Sequence, residues 1–457
     1  MRKASLLLWS IALGCEPLPY QSPSQTEQAP PTPSAFLHVV VGSSAVPTLS
    51  LQLGDLPNVE LARHEVSPRL SLPSGEYPLS LSGSGQRLYS SSLRLLPESE
   101  TLLVAHQGVD SGGLWTSLRL TPLHLGKRDS QHARLRLGHF CEGAPLLSLV
   151  SPGGDVLVDG VGSGFVSAYA DLGQPLAMAS SLQLRSARQS APLWDVTLPA
   201  GLPLSSATAL LAVGDPSPLG SEPFSLLAFD EESGRVTALP VRPATGAADG
   251  QIYLVHAASS VSEVTAKSGQ GPLFSRIGYQ QASPLGALHA GTTELALDLA
   301  AQTLWRGSLR MWPGKSWLLL LYGTQTMPKL LVLPRPERAP QTVWRVANVI
   351  EGLGSADLLD GDDAVVNRLG YGSASEPQLG TLPRRTLRLR SRDSGQASWD
   401  ISLDQAAQAA AQDQVVTILL TGTVSDKSKV AALMIVESRA SAAMAAPVVA
   451  LPTVPSL

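Results

Sequence analysis

The sequence predicts an all-β protein: a tandem array of about four immunoglobulin-like or transthyretin-like β-sandwich domains. Three observations lead there. Glycine (40) and proline (36) are plentiful in a chain of 457 residues, which favours many turns and short strands over long helices. Apolar runs ending at a glycine recur at Gly108, Gly214, Gly323 and Gly422, at intervals of roughly 100 residues. Segments such as LRLRS alternate apolar and polar side chains, the period of a half-buried strand.

The recurring anchors give the elements in order. Each unit opens on an apolar strand: FLHVVVGSSAVP from Phe36, ARLRLGHFCEGAP from Ala133, QIYLVHAASS from Gln251 and VWRVANVIEG from Val343. In the middle, RIGYQQAS (276–283) matches RLGYGSAS (368–375), and SLQLRSARQSAPLWDVTL from Ser181 matches TLRLRSRDSGQASWDISL from Thr386. Each unit closes on a buried-type run and a return run. These are LLVAHQG with LWTSLRL, LLAVGD with FSLLAF, LLLYGT with KLLVL, and ILLTGT with VAALMIV. Two apolar runs around a glycine-containing polar stretch read as a β-hairpin. The resulting domains are 35–124, 132–240, 250–335 and 342–437, with linkers near 125–131, 240–250 and 335–342. Residues 438–457 read as a low-complexity, frayed tail. The alanine-rich stretch 405–413 is the one helix candidate, short and placed in a loop.

Composition limits the function. Net charge is −4 and charged residues make up 15%, against about 25% for an average soluble protein. No basic face or interleaved aromatic pattern points to nucleic acid. The two cysteines, Cys15 and Cys141, form no CxxC pair, so neither a finger-type zinc site nor a disulfide framework is expected.

The opening residues have their own signature. Arg2 and Lys3 form a basic start, residues 6–13 an apolar core too short to span a bilayer, and Ala12-Leu13-Gly14-Cys15 follows at once. This run resembles the lipobox of bacterial lipoproteins. The resemblance implies a signal peptide over 1–14, lipidation of Cys15 and acylation of the new amino end. Residues 16–34 carry six prolines, with Leu18 and Tyr20 as their large apolar side chains, and cannot recover ordering entropy by burial. Residues 15–34 are therefore expected to act as a disordered tether. Glu16 stands where inner-membrane lipoproteins often carry aspartate, which favours the outer membrane.

The repeated anchors resemble the bacterial envelope family named domain of unknown function 4397. LVHAASS (254–260) matches that family's opening strand, and LLAVGD with FSLLAFDEE its close. The first unit departs most, with Val41 where a histidine falls. The resemblance implies a β-sandwich-like domain in the cell envelope and no reaction.

Each chemical candidate competes with a structural reading. Val109-Asp110-Ser111-Gly112-Gly113 evokes the serine-protease nucleophile motif. Neither His38 nor His64 upstream has a triad setting, and Asp-Ser-Gly-Gly is good turn chemistry, so Ser111 is read as a turn residue. His139, His256 and Asn348 share one aligned position and are expected to bond loop backbone. LDGDDAV (359–365) gathers three carboxylates but lacks a complete calcium loop and reads as a hairpin turn. GVGSG (160–164) lacks dinucleotide-loop spacing. Cys141 is expected to be a partly buried thiol. No catalytic residue, cofactor or metal is assigned. The expectation is a lipid-anchored envelope protein, not an enzyme, with a binding or structural role. Its candidate partners are cell-wall glycan or other envelope proteins. The alternatives are a subunit of a larger envelope assembly, or a hydrolase with an unrecognised site.

Overall fold

The computed structural model describes residues 33–42, 47–109, 116–126, 133–141, 143–172, 181–187, 191–198, 207–219, 223–335, 342–380, 382, 386–393, 398–403, 414–426, 429–437, 448–451 and 453–456. It is an all-β tandem array of four two-sheet units. The helix candidate at 405–413 lies outside the described residues.

Unit 1 runs through β1 (Ser34–Val41), β2 (Thr48–Leu53), β3 (Val59–Ala62), β4 (Leu70–Pro73), β5 (Gly75–Gly83), β6 (Gln86–Leu95), β7 (Glu100–Val109) and β8 (Thr116–His124). Its sheets have the orders β4-β1-β7-β8 and β3-β2-β5-β6. Unit 2 runs through β9 (Arg134–His139), β10 (Leu147–Val150), β11 (Val156–Val161), β12 (Phe165–Val166), β13 (Ala170–Asp171), β14 (Ser181–Ser186), β15 (Pro192–Thr197), β16 (Ala207–Val213), β17 (Ser225–Asp230), β18 (Arg235–Leu239) and β19 (Val241–Pro243). Its sheets are β12-β9-β16-β17-β18, with β13 also on β9, and β11-β10-β14-β15-β19.

Unit 3 repeats unit 1. Its strands are β20 (Gly250–His256), β21 (Glu263–Ser268), β22 (Gly271–Gly278), β23 (Gly286–Leu288), β24 (Gly291–Leu299), β25 (Gln302–Met311), β26 (Ser316–Gly323) and β27 (Pro328–Pro334). They are ordered β23-β20-β26-β27 and β22-β21-β24-β25. Unit 4 repeats unit 2. Its strands are β28 (Val343–Asn348), β29 (Ser355–Asp360), β30 (Asp363–Gly370), β31 (Ser373–Ala374), β32 (Gln378–Leu379), β33 (Thr386–Ser391), β34 (Ser398–Ser402), β35 (Val415–Thr421), β36 (Ala431–Glu437), β37 (Val448–Leu451) and β38 (Thr453–Ser456). They are ordered β31-β28-β35-β36-β37 and β30-β29-β33-β34-β38.

In every unit the first strand pairs in parallel with the long late strand: β1 with β7, β9 with β16, β20 with β26, β28 with β35. The four expected closing hairpins are the antiparallel pairs β7–β8, β16–β17, β26–β27 and β35–β36. In units 2, 3 and 4 the glycine closing the late strand is required by geometry, since Gly214, Gly323 and Gly422 all have positive φ, whereas Gly108 lies within β7. Gly422 has φ +110°, and a Cβ there would lie 2.1 Å from the Lys429 carbonyl oxygen.

Two boundaries move. Unit 2 extends beyond 240, because β19 pairs with β15. The segment read as a frayed tail contributes β37 to one sheet of unit 4 and β38 to the other. β18 and β19 do the same in unit 2. Composition alone misses this, because edge strands need few large apolar residues.

The units are not beads on a string. Alternate residues of the late strands serve two cores. In β16, Leu210 and Ala212 join the core of unit 2, with Leu149, Leu184 and Val196. Ala209, Leu211 and Val213 join a second core with Val40, Leu102 and Val104 of unit 1. In β26, Leu319 and Leu321 face unit 3's own core, while Leu318 and Leu320 pack with Ala347, Leu419 and Ile435 of unit 4. Strands covered on both faces need continuous apolar sequence, which explains runs such as WLLLLY.

Matching polar contacts hold both pairs. The Arg136 side chain donates to the His124 carbonyl, 3.1 Å away at the end of β8, and Arg345 to the Pro334 carbonyl, 2.6 Å away at the end of β27. Arg136 also meets Glu231 at 2.9 Å, and the Tyr169 hydroxyl donates to the same carboxylate at 2.6 Å. Burial raises the pKa values of both Glu231 and Tyr169, the latter to about 12; Arg136 opposes both shifts.

Candidate functional site

The residues singled out by alignment occupy equivalent sites. Val41, His139, His256 and Asn348 each end their unit's first strand and pair with the same late-strand position: Ala105, Ala212, Leu321 and Leu420. The three polar side chains are fully buried. His139 Nδ1 accepts the Cys141 backbone N–H at 3.2 Å, His256 Nδ1 that of Ala258 at 3.3 Å, and Asn348 Oδ1 that of Ile350 at 3.1 Å. Each therefore holds the chain two residues on. On the other side His139 Nε2 lies 3.0 Å from the Pro145 carbonyl, and Asn348 Nδ2 donates to the Leu369 carbonyl at 3.2 Å. Burial lowers the pKa of His139 and of His256 to about 4, against the raising effect of nearby backbone carbonyls. Both are neutral at pH 7, as acceptance at Nδ1 requires. The three sites lie in separate units and do not converge.

A second fourfold feature was missed from sequence. Ser67, Ser167, Ser283 and Ser375 each accept the backbone N–H of the first strand, from Val39, Leu137, Leu254 and Val346, at 2.9 to 3.0 Å. Each hydroxyl also donates to the carbonyl of the next residue. Three residues earlier, His64, Gly164, Gln280 and Gly372 all have positive φ, and each N–H reaches the last residue of the first strand. This left-handed residue followed by serine clasps the first strand where its edge would otherwise be unpaired. The signal was the shared serine ending RIGYQQAS and RLGYGSAS, which also appears as Ser67 and Ser167.

The remaining candidates are placed individually. Ser111 lies outside the described residues, between the antiparallel strands β7 and β8. Cys15 also lies outside them. Cys141 is fully buried rather than partly so, because it joins the core of unit 2. His38 Nε2 lies 3.3 Å from Glu100, and its ring packs edge-on against Phe229 of unit 2. In LDGDDAV, Asp360 pairs with Asp363 around a two-residue turn in which Gly361 has φ +63°. GVGSG leads into β12, not a helix, with Gly160 and Gly164 at positive φ. Among the described residues no group of three or more His, Cys, Asp or Glu is placed to hold a metal ion, and no helix is long and apolar enough to cross a membrane.

What this arrangement does chemically is order backbone. The aligned polar groups are neutral, buried and hydrogen-bonded within their own unit. No family model matches the chain, and no curated protein matches it. Among solved structures it is similar to the Bacillus anthracis TIE protein at 9% identity, over 87% of this chain and 75% of that one, with a TM-score of 0.14 that carries no argument about fold or function.

Proposed function

We infer that this chain is a lipid-anchored cell-envelope protein whose tandem β units serve a non-enzymatic binding or structural role. The observation carrying this reading is the commitment of the aligned polar residues to backbone and of the apolar sheet faces to neighbouring units. Such an array is a stiff support on which loops vary, and loops held by rigid sheets are where recognition concentrates. The leader supports the anchor: a basic start, a short apolar core and Cys15, followed by a proline-rich stretch reaching ~3.1 Å per residue. The resemblance of the repeated anchors to the domain of unknown function 4397 family supports an envelope setting, and Glu16 favours the outer membrane. Cell-wall glycan and envelope proteins are the partners this reading names.

Replacing Cys15 with Ser tests the anchor. The variant is expected to remain uncleaved by the lipoprotein peptidase and to lose the acyl mass on its amino-terminal peptide. Unchanged processing and membrane partition would reject the assignment. Binding of the full chain to isolated envelope fractions tests the role. Turnover of an ester or peptide substrate that is lost on Ser111→Ala would replace it with the hydrolase reading.

A further inference from the structure

The two sheet-face seams, unit 1 on unit 2 and unit 3 on unit 4, share one register and differ in chemistry at two positions. On the seam face of unit 1, His38 is level with Leu102, and His106 stands two residues beyond Val104. In unit 3 the same positions hold Tyr253, level with Leu318, and Tyr322, two residues beyond Leu320. Both tyrosines belong to the core that unit 3 shares with unit 4. All four side chains are buried. A phenol stays neutral throughout the acid range, whereas an imidazole takes up a proton there.

Both imidazoles pack on unit 2. His38 lies edge-on to Phe229, with ring centroids 5.6 Å apart. Gly234, in the turn after β17, sits against the same ring: a Cβ there would lie 2.7 Å from Cε1 and 3.3 Å from Nδ1. His38 Nε2 meets Glu100 at 3.3 Å, and Glu100 also holds Arg69 at 2.9 Å. His38 Nδ1 is buried with no hydrogen-bond partner among the described residues. A proton on it would be an unpaired donor pressed against the unit 2 turn. His106 lies tilted on Phe140, with centroids 4.9 Å apart. Its Nε2 is 2.9 Å from Thr121 Oγ1 and its Nδ1 3.3 Å from the Gln107 carbonyl. Burial holds both rings below the ordinary imidazole range, His106 at about 4; the Glu100 carboxylate and the Gln107 carbonyl oppose this, while Arg69 and Arg119 add to it.

We propose that the seam between units 1 and 2 is an acid-operated hinge: protonation of His38 and His106 releases unit 1 from unit 2, while units 3 and 4 stay joined through Tyr253 and Tyr322. The closed seam favours neutral rings. Above pH 6.5, the value of a free imidazole, both rings are neutral whether the seam is open or closed, and the seam keeps its full strength. As pH falls from 6.5 towards 4, the open form takes up protons that the closed form refuses. Opening then gains up to about tenfold per pH unit for each ring.

Release bares the apolar face that Val40, Leu102 and Val104 of unit 1 share with Leu211 and Phe229 of unit 2. Unit 3 has a second hold on unit 2. Trp312, in the tight turn before β26, is 2% exposed because it enters the core of unit 2, edge-on to Trp194 and Phe224 at 5.5 and 4.9 Å between ring centroids. SLRLLP (92–97) repeats SLRMWP (308–313), so Leu96 is the counterpart of Trp312 in unit 1, and it is 46% exposed. The hinge therefore moves the first unit of the array and leaves the other three joined. This inference rests on the two seams and is independent of the lipid anchor.

Thiol labelling of the full chain tests it. Val40→Cys places a probe in the first seam, and Val255→Cys one at the matching position of the second; both sites are fully buried. The native Cys141, inside the unit 2 core, reports unfolding. Each thiol is read separately by peptide mass, with its rate divided by that of a free thiol at the same pH. Between pH 7 and pH 4.5 labelling at Val40→Cys should accelerate at least about tenfold more than at Val255→Cys or at Cys141. His38→Tyr with His106→Tyr, which installs the residues of unit 3, should abolish the difference. His38→Gln with His106→Gln, whose amides take up no proton, should do the same. Glu231, raised by burial in the same seam, is untouched by these variants, so a difference that survives both pairs would belong to it and overturn the proposal. Equal acceleration of the two probes, or labelling of Cys141 in step with Val40→Cys, would also overturn it.

Discussion

Replacing Leu211 with Ala should weaken the seam between units 1 and 2 and spare the core of unit 2. Leu211 lies on β16, fully buried, and its side chain packs with Val40, Leu102, Val104, Phe140 and Phe229. Its neighbour Leu210 points the other way, into the unit 2 core with Leu149 and Leu184. Truncating leucine to alanine removes about three carbon groups, worth ~2.4 kcal/mol of transfer free energy at ~0.8 kcal/mol each. The cavity left behind raises the total to about 3–5 kcal/mol. The two substitutions should therefore cost similar amounts and differ in place. Hydrogen exchange read by mass spectrometry on the full chain separates them. Leu211→Ala should lower protection in β1 and β7 of unit 1 as well as in β16, while Leu210→Ala should lower it in β10 and β14. If Leu211→Ala leaves β1 and β7 as protected as before, the units do not share a core and the two-sided account of the late strands is wrong.

Acid should destabilise the fold through its buried imidazoles. His106, His139 and His256 are held near pKa 4 by burial, against 6.5 for a free imidazole. Above pH 6.5 both folded and unfolded states leave them neutral. Between 6.5 and 4 only the unfolded chain takes up the proton, so stability falls by about 1.4 kcal/mol per pH unit per group, up to about 3 kcal/mol each, and levels off below 4. Urea midpoints measured across that range should slope downward. They should slope less in His139→Asn, which installs the residue unit 4 already uses at that position. A parallel slope in the variant would remove His139 from the account. Ser283→Ala should cost about 1–3 kcal/mol, because the Leu254 N–H loses its side-chain acceptor inside the sheet. A thermal melt unchanged by Ser283→Ala would show that the serine clasp is not structural.

Much of the fold was legible because its signals are local. A period of two in SLQLRS, a glycine that must take positive φ at Gly422, and an apolar run of strand length each report on their own residues. Repetition multiplied these signals into four units and put His139, His256 and Asn348 on one register. The serine clasp was half legible: two of its four members sat inside matched segments, while Ser67 and Ser167 had diverged around the serine. The strands in 448–456 were not legible, because an edge strand is held by backbone hydrogen bonds that almost any side chain permits.

The sequence by itself determined that this chain makes strands, where each unit begins, and that its late strands are buried on both faces. Only the tertiary structure decided what covers the second face. An apolar run such as ALLAV carries the same free energy of burial against any apolar partner. Which sheet it meets depends on the order of units in space and on contacts such as Arg136 to the His124 carbonyl. Likewise, the tripeptides Leu95-Leu96-Pro97 and Met311-Trp312-Pro313 announce the same turn. That one apolar side chain is buried in a neighbour and the other faces solvent follows from what lies across the junction, which is a property of the assembled units and not of either segment.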